Sequence, residues 1–343
     1  MFKIERETKV YIGCPAQLAS GGAELLHQLC YALNAKGINA YMFYNCNNDF
    51  QGDPVNERFK KYNNKYVDNI IENIENILIV PETLIDSLKN FTNIRKCIWW
   101  LGINHYLVPT ELHSHKYLRC LGHWIFKLIH FRDPLTFKDI KKQKIVCWAQ
   151  CWYAVSFLQR KKIHNVAYLS DYISTNFVDA HLKQSFQSCK KENIVLYNPK
   201  RNTKYIKKLM SAAPDIKFIA IENMSPDEVK TLMQRAKIYV DFGSHPGKDR
   251  MPRESALQNC CILTSTLGSA DFYDDVPIPS AYKFERTVSN IAKVIDKIRY
   301  IFENYEEERE KFKPYIQYIL EEKQAFERDI DKLFILSSEN ADE

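Results

Sequence analysis

Apolar positions along the chain fall in short β-branched or aromatic runs, each followed by a turn-rich stretch and then by apolar residues at helical spacing. Residues 10–13 form one such run. After the turn at 14–22 come Ala23, Leu25, Leu26, Leu29 and Leu33, spaced to line one face of a helix. The runs 38–44, 77–80 and 96–101 predict further strands, and a helix follows Pro81 through Leu88. Residues 145–148 and 153–157 read as short strands or helix starts, and 154–169 as a helix and strand that close a first domain. Two polar stretches interrupt this pattern. Residues 45–69 are asparagine-rich and predict an irregular surface connection, and 170–191 lack a long apolar period and predict a linker. Beyond it, 193–196, 217–221, 238–240 and 260–265 predict strands, and Ser225 with Glu228 sets a capping box at the start of a helix over 226–236. From Phe284 the chain reads as helical, with Val288, Ile291, Val294, Ile295, Ile298 and Ile301 on one stripe, broken at Pro314 before a last helix over about 315–336. Strands alternating with helices on both sides of residue 170 predict an α/β class with Rossmann-like units.

The most informative stretch is 236–265. Its strand stops at Asp241, and the eight residues Gly243 to Arg250 then hold two glycines, one proline and four ionisable side chains. Such a loop is too polar for a core and is rich in turn formers. A helix is expected from about Pro252, with Glu254 in its first turn, before the strand at 260–265. The loop therefore lies at the carboxyl end of a strand, where open α/β sheets bind ligands. Its glycine amides, the helix N-terminus and the cations Lys248, Arg250 and Arg253 are groups that hold a diphosphate, and Glu254 can accept hydrogen bonds from a ribose diol. A solvated loop with Glu254 as a helix-start carboxylate is the alternative. Similarly, Lys200, Arg201 and Lys204 cluster at the start of a helix, where cations oppose the dipole, so a bound anion is expected to compensate them. Gly21 and Gly22 read as a tight turn requiring positive φ.

Composition narrows the picture. The chain has 343 residues, 45% hydrophobic and 13% aromatic, which is material for two cores. Its net charge of +6 includes the acidic run at 303–310 and the acidic tail, so the rest of the chain is more basic than the total and offers a surface suited to phosphates. Cations are scattered, and nucleic-acid-binding motifs are not found. No apolar run reaches the roughly 18 residues of a membrane span, and the first residues lack a secretory apolar region, so a cytoplasmic protein is expected. The ten cysteines are dispersed and expected to be reduced. No set of aspartates, histidines or cysteines has metal-ligand spacing, so no metal is expected. Residues 113–145 interleave Trp124, Phe126, Phe131 and Phe137 with Lys and His. They read either as an interfacial element resting on the inner membrane surface or as a helix packed on its own domain.

The loop at 236–265 resembles the nucleotide-binding signature of bacterial GT-B glycosyltransferases, in which two glutamates flank a glycine-containing loop and the second binds the nucleotide ribose. Glu254 matches the second glutamate. Pro246 stands where the first would fall, so His245 or Asp249 would have to cover its role. The run DFGSHPGKDRMPRE at 241–254 is similar to a subgroup of transferases from capsule and lipopolysaccharide loci. The resemblance implies the GT-B architecture, two Rossmann-like domains facing each other across a cleft. Residues 1–170 would bind the acceptor, 171–314 the nucleotide sugar, and 315–343 would carry a helix crossing back and the acidic tail. It further implies that Gly21 and Gly22, the strand end with Asn198, Lys200, Arg201 and Lys204, and the loop with Gly243, Ser244, His245, Gly247 and Arg250 bind the donor together with Glu254. Asn104 and His105 match a loop near the acceptor. Lys248, Glu254 and His105 are the catalytic candidates. The implied reaction moves a sugar from a nucleotide-diphosphate sugar to a saccharide or lipid-linked acceptor in surface polysaccharide synthesis, with retention in close members and with no cofactor beyond the donor. A nucleotide-sugar epimerase and a non-catalytic scaffold in a polysaccharide assembly complex remain open as alternatives.

Overall fold

A computed structural model describes residues 1–46, 50–107, 135–183, 190–201 and 203–337. The chain divides into two compact units: Met1–Asp171 with Gln324–Glu343, and Tyr172–Lys323.

The first unit contains β1 (Phe2–Ile4), β2 (Lys9–Gly13), β3 (Asn39–Phe43), β4 (Tyr66–Val67), β5 (Ile77–Pro81), β6 (Arg95–Trp100), β7 (Val146–Ala149) and β8 (Val166–Tyr168). Seven of these strands make one parallel sheet in the order β4-β3-β2-β5-β6-β7-β8. Val10 pairs with Ala40 on one side and Ile77 on the other, and Ile98 pairs with Cys147. The strands are short and continuous in apolar residues because both faces are covered; β5 is buried at every position. Order reverses between β2 and β5, so the crevice that such sheets offer to ligands lies at the carboxyl ends of these two strands.

The second unit contains β9 (Glu192–Tyr197), β10 (Lys217–Ala220), β11 (Ala236–Asp241), β12 (Cys261–Ser265) and β13 (Lys283–Phe284), parallel in the order β10-β9-β11-β12-β13. Here the order reverses between β9 and β11. The helix Ile291–Glu303 buries Val294, Ile295, Ile298 and Ile301, the predicted stripe, whereas Val288 is exposed before the helix begins. The capping box at Ser225 and Glu228 is formed, with both side chains reaching the other's backbone N–H.

Several expectations are corrected. The 45–69 stretch is not wholly irregular: it holds a 3₁₀ helix, Glu57–Tyr62, and the edge strand β4. Within 170–191 the helix Thr175–Leu182 buries Phe177 and Ala180, so much of the expected linker is part of a core; residues 184–189 lie outside the described set. Pro314 does not break a helix. It occupies the first turn of the helix Lys313–Leu333, where a missing N–H costs nothing. That helix belongs to the second unit as far as Lys323 and to the first from Gln324. It leads into β14 (Phe334–Leu336), which pairs in parallel with β1 at Phe2↔Phe334. Of the amphipathic stretch at 113–145, Trp124, Phe126 and Phe131 lie outside the described residues. Phe137 starts the helix Phe137–Lys142 and stacks on Trp100, with ring centroids 5.9 Å apart. Among the described residues no helix is long and apolar enough to cross a membrane.

Candidate functional site

The strand order of the second unit brings the turn after β9 and the loop after β11 to adjacent sheet positions. In the first, the Asn198 side chain accepts from Lys200 N at 2.9 Å and its carbonyl from Arg201 N at 3.0 Å, closing a turn. Asn198 Nδ2 also approaches Met251 Sδ at 3.1 Å. Lys200 and Lys204 are exposed. Arg201 is half-buried, and its guanidinium donates to the Asp249 carboxylate.

In the second loop, Asp241 Oδ1 accepts from Gly243 N at 2.9 Å and Oδ2 from the Tyr239 hydroxyl at 3.3 Å. A Cβ on Gly243 would lie 2.8 Å from Asp241 Oδ1 and 3.0 Å from Arg201 Nη1, so close approach is what requires glycine here. His245 takes a left-handed φ of 43°. Its Nε2 donates to the Asp241 carbonyl at 3.1 Å and its Nδ1 meets Asp249 Oδ2 at 2.6 Å. The Asp241 carbonyl can only accept, so Nε2 carries a hydrogen, and the Asp249 carboxylate beside Nδ1 favours the imidazolium form of the ring. Burial alone would lower the His245 pKa, but the Asp241 and Asp249 carboxylates outweigh it and raise it. Burial would likewise raise Asp249, yet Arg201 and His245 hold its carboxyl well below the usual range.

The loop's carbonyls are anchored one after another. Phe242 O accepts from Arg286, Gly243 O from Ser265 Oγ, His245 O from Ser269 N, Gly247 O from Ser269 Oγ, and Lys248 O from Arg253. A planar trans peptide sets the next N–H opposite to each carbonyl, so the amides of Ser244, Lys248 and Asp249 are directed away from these anchors. A fixed array of this kind supplies partial positive charge without reorganisation. The anchoring turn is at Gly268, whose φ is +61°.

Lys248 and Arg253 are placed differently from the sequence expectation. Both side chains are buried on one carboxylate, Glu322, at 3.1 Å from Lys248 Nζ and 2.7 Å from Arg253 Nη1. Lys248 also donates to Tyr318 Oη at 3.1 Å. Glu254 is corrected as well. The helix runs Arg250–Leu257 with Asp249 as its N-cap, two residues earlier than expected, so Glu254 lies in the second turn and pairs with Arg250 at 3.4 Å. Dipole stabilisation fades beyond the first turn. Glu254→Gln is expected to lower stability through its buried contact with Arg250, whereas loss of a charge-assisted ribose contact would weaken nucleotide affinity by about 1.5–3 kcal/mol. Melting and titration of the same variant separate the two.

In the first unit, Gly21 and Gly22 begin the helix Gly21–Ala35, whose N-cap Ser20 accepts from Ala23 N at 3.2 Å. Neither glycine has positive φ, and a Cβ on Gly22 would make only ordinary contact, 3.5 Å from Leu101. Conformation alone does not require them. His105 sits in the short helix Ile103–Leu107 after β6, against Gly102. Beside them, Glu82 at the carboxyl end of β5 was not singled out by sequence. It is buried and accepts from Leu101 N at 2.8 Å and Gly102 N at 3.1 Å. Burial pushes its pKa up to about 7 against these amides. The available signal was a carboxylate directly after a wholly apolar strand.

Against the expectation of no metal-ligand spacing, Asp241, His245 and Asp249 present ligand atoms within 4.8 Å of one another. Two carboxylates facing the His245 imidazolium and Arg201 already form a balanced set, and a cation would have to displace those partners. The His245 charge gives a sign to the pH dependence. A histidine pKa raised above about 6.5 contributes stability that is full below that value and is lost as pH rises through the folded pKa. The second unit is expected to melt lower as pH rises above about 6.5, and His245→Asn, which tolerates the left-handed φ, to flatten that slope. An unchanged slope would contradict the imidazolium assignment.

No known family model matches the sequence, and no curated protein matches it. Solved structures do match in fold. The chain is similar to sucrose-phosphate synthase from Thermosynechococcus elongatus, with a TM-score of 0.59 at 13% identity, covering 95% of this chain and 98% of that one. It is similar to HepE from Anabaena, solved with UDP and glucose, with a TM-score of 0.59 at 10% identity over 95% and 99% of the two chains. A lipopolysaccharide outer core galactosyltransferase, WaaB, gives 0.57 at 11% identity over 95% and 99%. The fold of the chain is that of GT-B glycosyltransferases.

Proposed function

We propose that this chain is a glycosyltransferase that takes its sugar from a nucleotide-diphosphate donor. The observation that carries the reading is the junction of Arg201 with the carbonyl-anchored loop 242–249 at the second unit's strand-order reversal. Diphosphate oxygens there would meet fixed amides, the Arg250–Leu257 helix N-terminus, Arg201 and the exposed Lys200 and Lys204. These groups offset the charge that grows on the leaving diphosphate, the kind of preorganised stabilisation that contributes a few kcal/mol to a transition state. His245 and Asp249 fill the region where the resembling family has its first glutamate, and Glu254 would hold the ribose. HepE, solved with UDP and glucose, supports the donor class, and WaaB supports an acceptor in bacterial surface polysaccharide. His105 and Glu82 would stand on the acceptor side. The reaction needs no metal in this reading, and the protein would act on the cytoplasmic side of the membrane.

One observation favours the non-catalytic alternative: Arg201 is paired with Asp249, and Lys248 and Arg253 are both paired with Glu322, so several cations of the motif are neutralised internally. Incubation with a panel of UDP and GDP sugars, with and without oligosaccharide acceptors and in EDTA, separates the readings. Nucleotide release that depends on acceptor and survives EDTA is expected. Sugar isomerisation without acceptor, or binding without turnover, would overturn it.

A further inference from the structure

The first unit holds a pocket that none of the donor-site residues touch. It encloses about 330 Å³, within the range of about 300–1,000 Å³ of small-molecule sites. The pocket lies between the helix Gly21–Ala35, the end of β3 and the segment carrying the 3₁₀ helix Glu57–Tyr62. Its floor is His27, Tyr44 and Phe59, all buried, and its rim includes Asp53, Lys60 and Tyr66. The rim is tied to the loop after β2: Gln17 Nε2 donates to the carbonyls of Asp53 and Val55, and Asn56 Nδ2 to the carbonyl of Gln17 at 3.0 Å. The pocket is thus coupled to the loop at the strand-order reversal of this unit.

The floor has a defined hydrogen-bond polarity. His27 Nδ1 lies 2.8 Å from the Ala23 carbonyl, which can only accept, so Nδ1 carries the hydrogen. Burial lowers the His27 pKa, against the Ala23 carbonyl and Glu24, and keeps the ring neutral, so Nε2 is an acceptor. Tyr44 Oη, 2.9 Å away, therefore donates to it. With its one hydrogen engaged, the Tyr44 oxygen has only lone pairs to offer and calls for a ligand that donates. A phosphodiester or a carboxylate, which only accepts, cannot do so. The charges at the mouth point the same way: Lys60 already faces Asp53 at 3.3 Å and Glu57 at 2.8 Å, and Lys61 faces Glu24 at 2.9 Å. Beside this acceptor stands Tyr66, 46% exposed and nearly perpendicular to Tyr44 with ring centroids 5.9 Å apart, an open aromatic face.

We propose that this pocket binds a neutral saccharide, which donates a hydroxyl hydrogen to Tyr44 Oη and lays its C–H face on Tyr66. Hydroxyl donors and an apolar ring face are the two things the lining asks for, and a sugar has both on one small ring. The inference rests on the glycosyltransferase reading only for its role, in which the occupant is a sugar of the acceptor.

The test is titration of the full chain with glucose, galactose, N-acetylglucosamine, lactose and maltose, followed by ligand-observed NMR, with UDP and inorganic phosphate titrated separately. At least one neutral sugar is expected to bind. Tyr44→Phe and the exposed Tyr66→Ala are each expected to weaken it about threefold to tenfold, the loss of one contact, with UDP affinity unchanged. Binding by the disaccharides in preference to the single sugars marks an acceptor chain, and the reverse a free sugar. Absence of sugar binding while UDP still binds would overturn this inference and leave the proposed function standing, as would sugar binding that neither variant affects or that phosphate displaces. Sugar binding that responds to both variants, in a chain that binds no UDP or GDP, would uphold the pocket and sink the transferase reading.

Discussion

Glu322→Ala is expected to lower the melting temperature of the second unit by roughly 10 °C, the consequence of losing about 3–5 kcal/mol. Glu322 is buried between two cations whose side chains are also buried, Lys248 at 3.1 Å and Arg253 at 2.7 Å. Removing the carboxylate leaves two positive charges in a region of low polarisability with no counter-charge. Lys248 can relieve part of this by releasing its proton, which Arg253 cannot do. Arg253 also donates to the carbonyls of Lys248 and Asp249, so its displacement would loosen the loop that it anchors. Differential scanning calorimetry measures the effect directly. A shift of a degree or less would mean that the three groups are hydrated and that the buried network is wrong.

Gly268→Ala is expected to be the most damaging single methyl addition in the second unit. Gly268 has φ +61°, a conformation that costs a non-glycine residue about 1–3 kcal/mol. The added Cβ would also overlap the carbonyl oxygens of Ser244 and His245. These are backbone atoms and cannot swing aside as a side chain can, so either the Gly268 turn or the loop must move. Because Ser269 holds the carbonyls of both His245 and Gly247, the movement would pass to the proposed diphosphate side of the loop. Loss of nucleotide binding together with a lowered melting temperature is the expected result, read by calorimetric titration and by melting. A variant with wild-type binding and melting would contradict the packing of the two turns.

Strands whose burial is complete were legible because their apolar runs are continuous, as in 77–80 and 238–240, and the capping box at Ser225 was legible because it is local. Pairing of β1 with β14 was not, since three residues at each end of the chain carry too little pattern to announce a partner so distant in sequence. The 3₁₀ helix Glu57–Tyr62 was hidden by its polar composition, although its Phe59 is buried. At the site, the loop with its glycines and the turn with Arg201 could be read as polar stretches at the ends of two strands. The fate of Lys248 and Arg253 could not. Their carboxylate partner comes many residues later, so a local count of charge sees cations waiting for a diphosphate where the fold has already supplied an anion. Glu254 lies a turn deeper in its helix than Pro252 suggests, because Asp249, engaged with Arg201 and His245, serves as the N-cap.

The central claim, that the turn after β9 and the loop after β11 hold a nucleoside diphosphate, is tested most directly by titrating UDP and GDP into the wild type, Lys200→Ala and the Lys200→Ala, Arg201→Ala double variant, with circular dichroism to show that each is folded. Binding of at least one nucleotide by the wild type is predicted, weakened by about tenfold or more in the double variant, in keeping with about 1.5–3 kcal/mol per charge-assisted hydrogen bond. Absence of binding to the wild type, or a dissociation constant that neither variant changes, would contradict it.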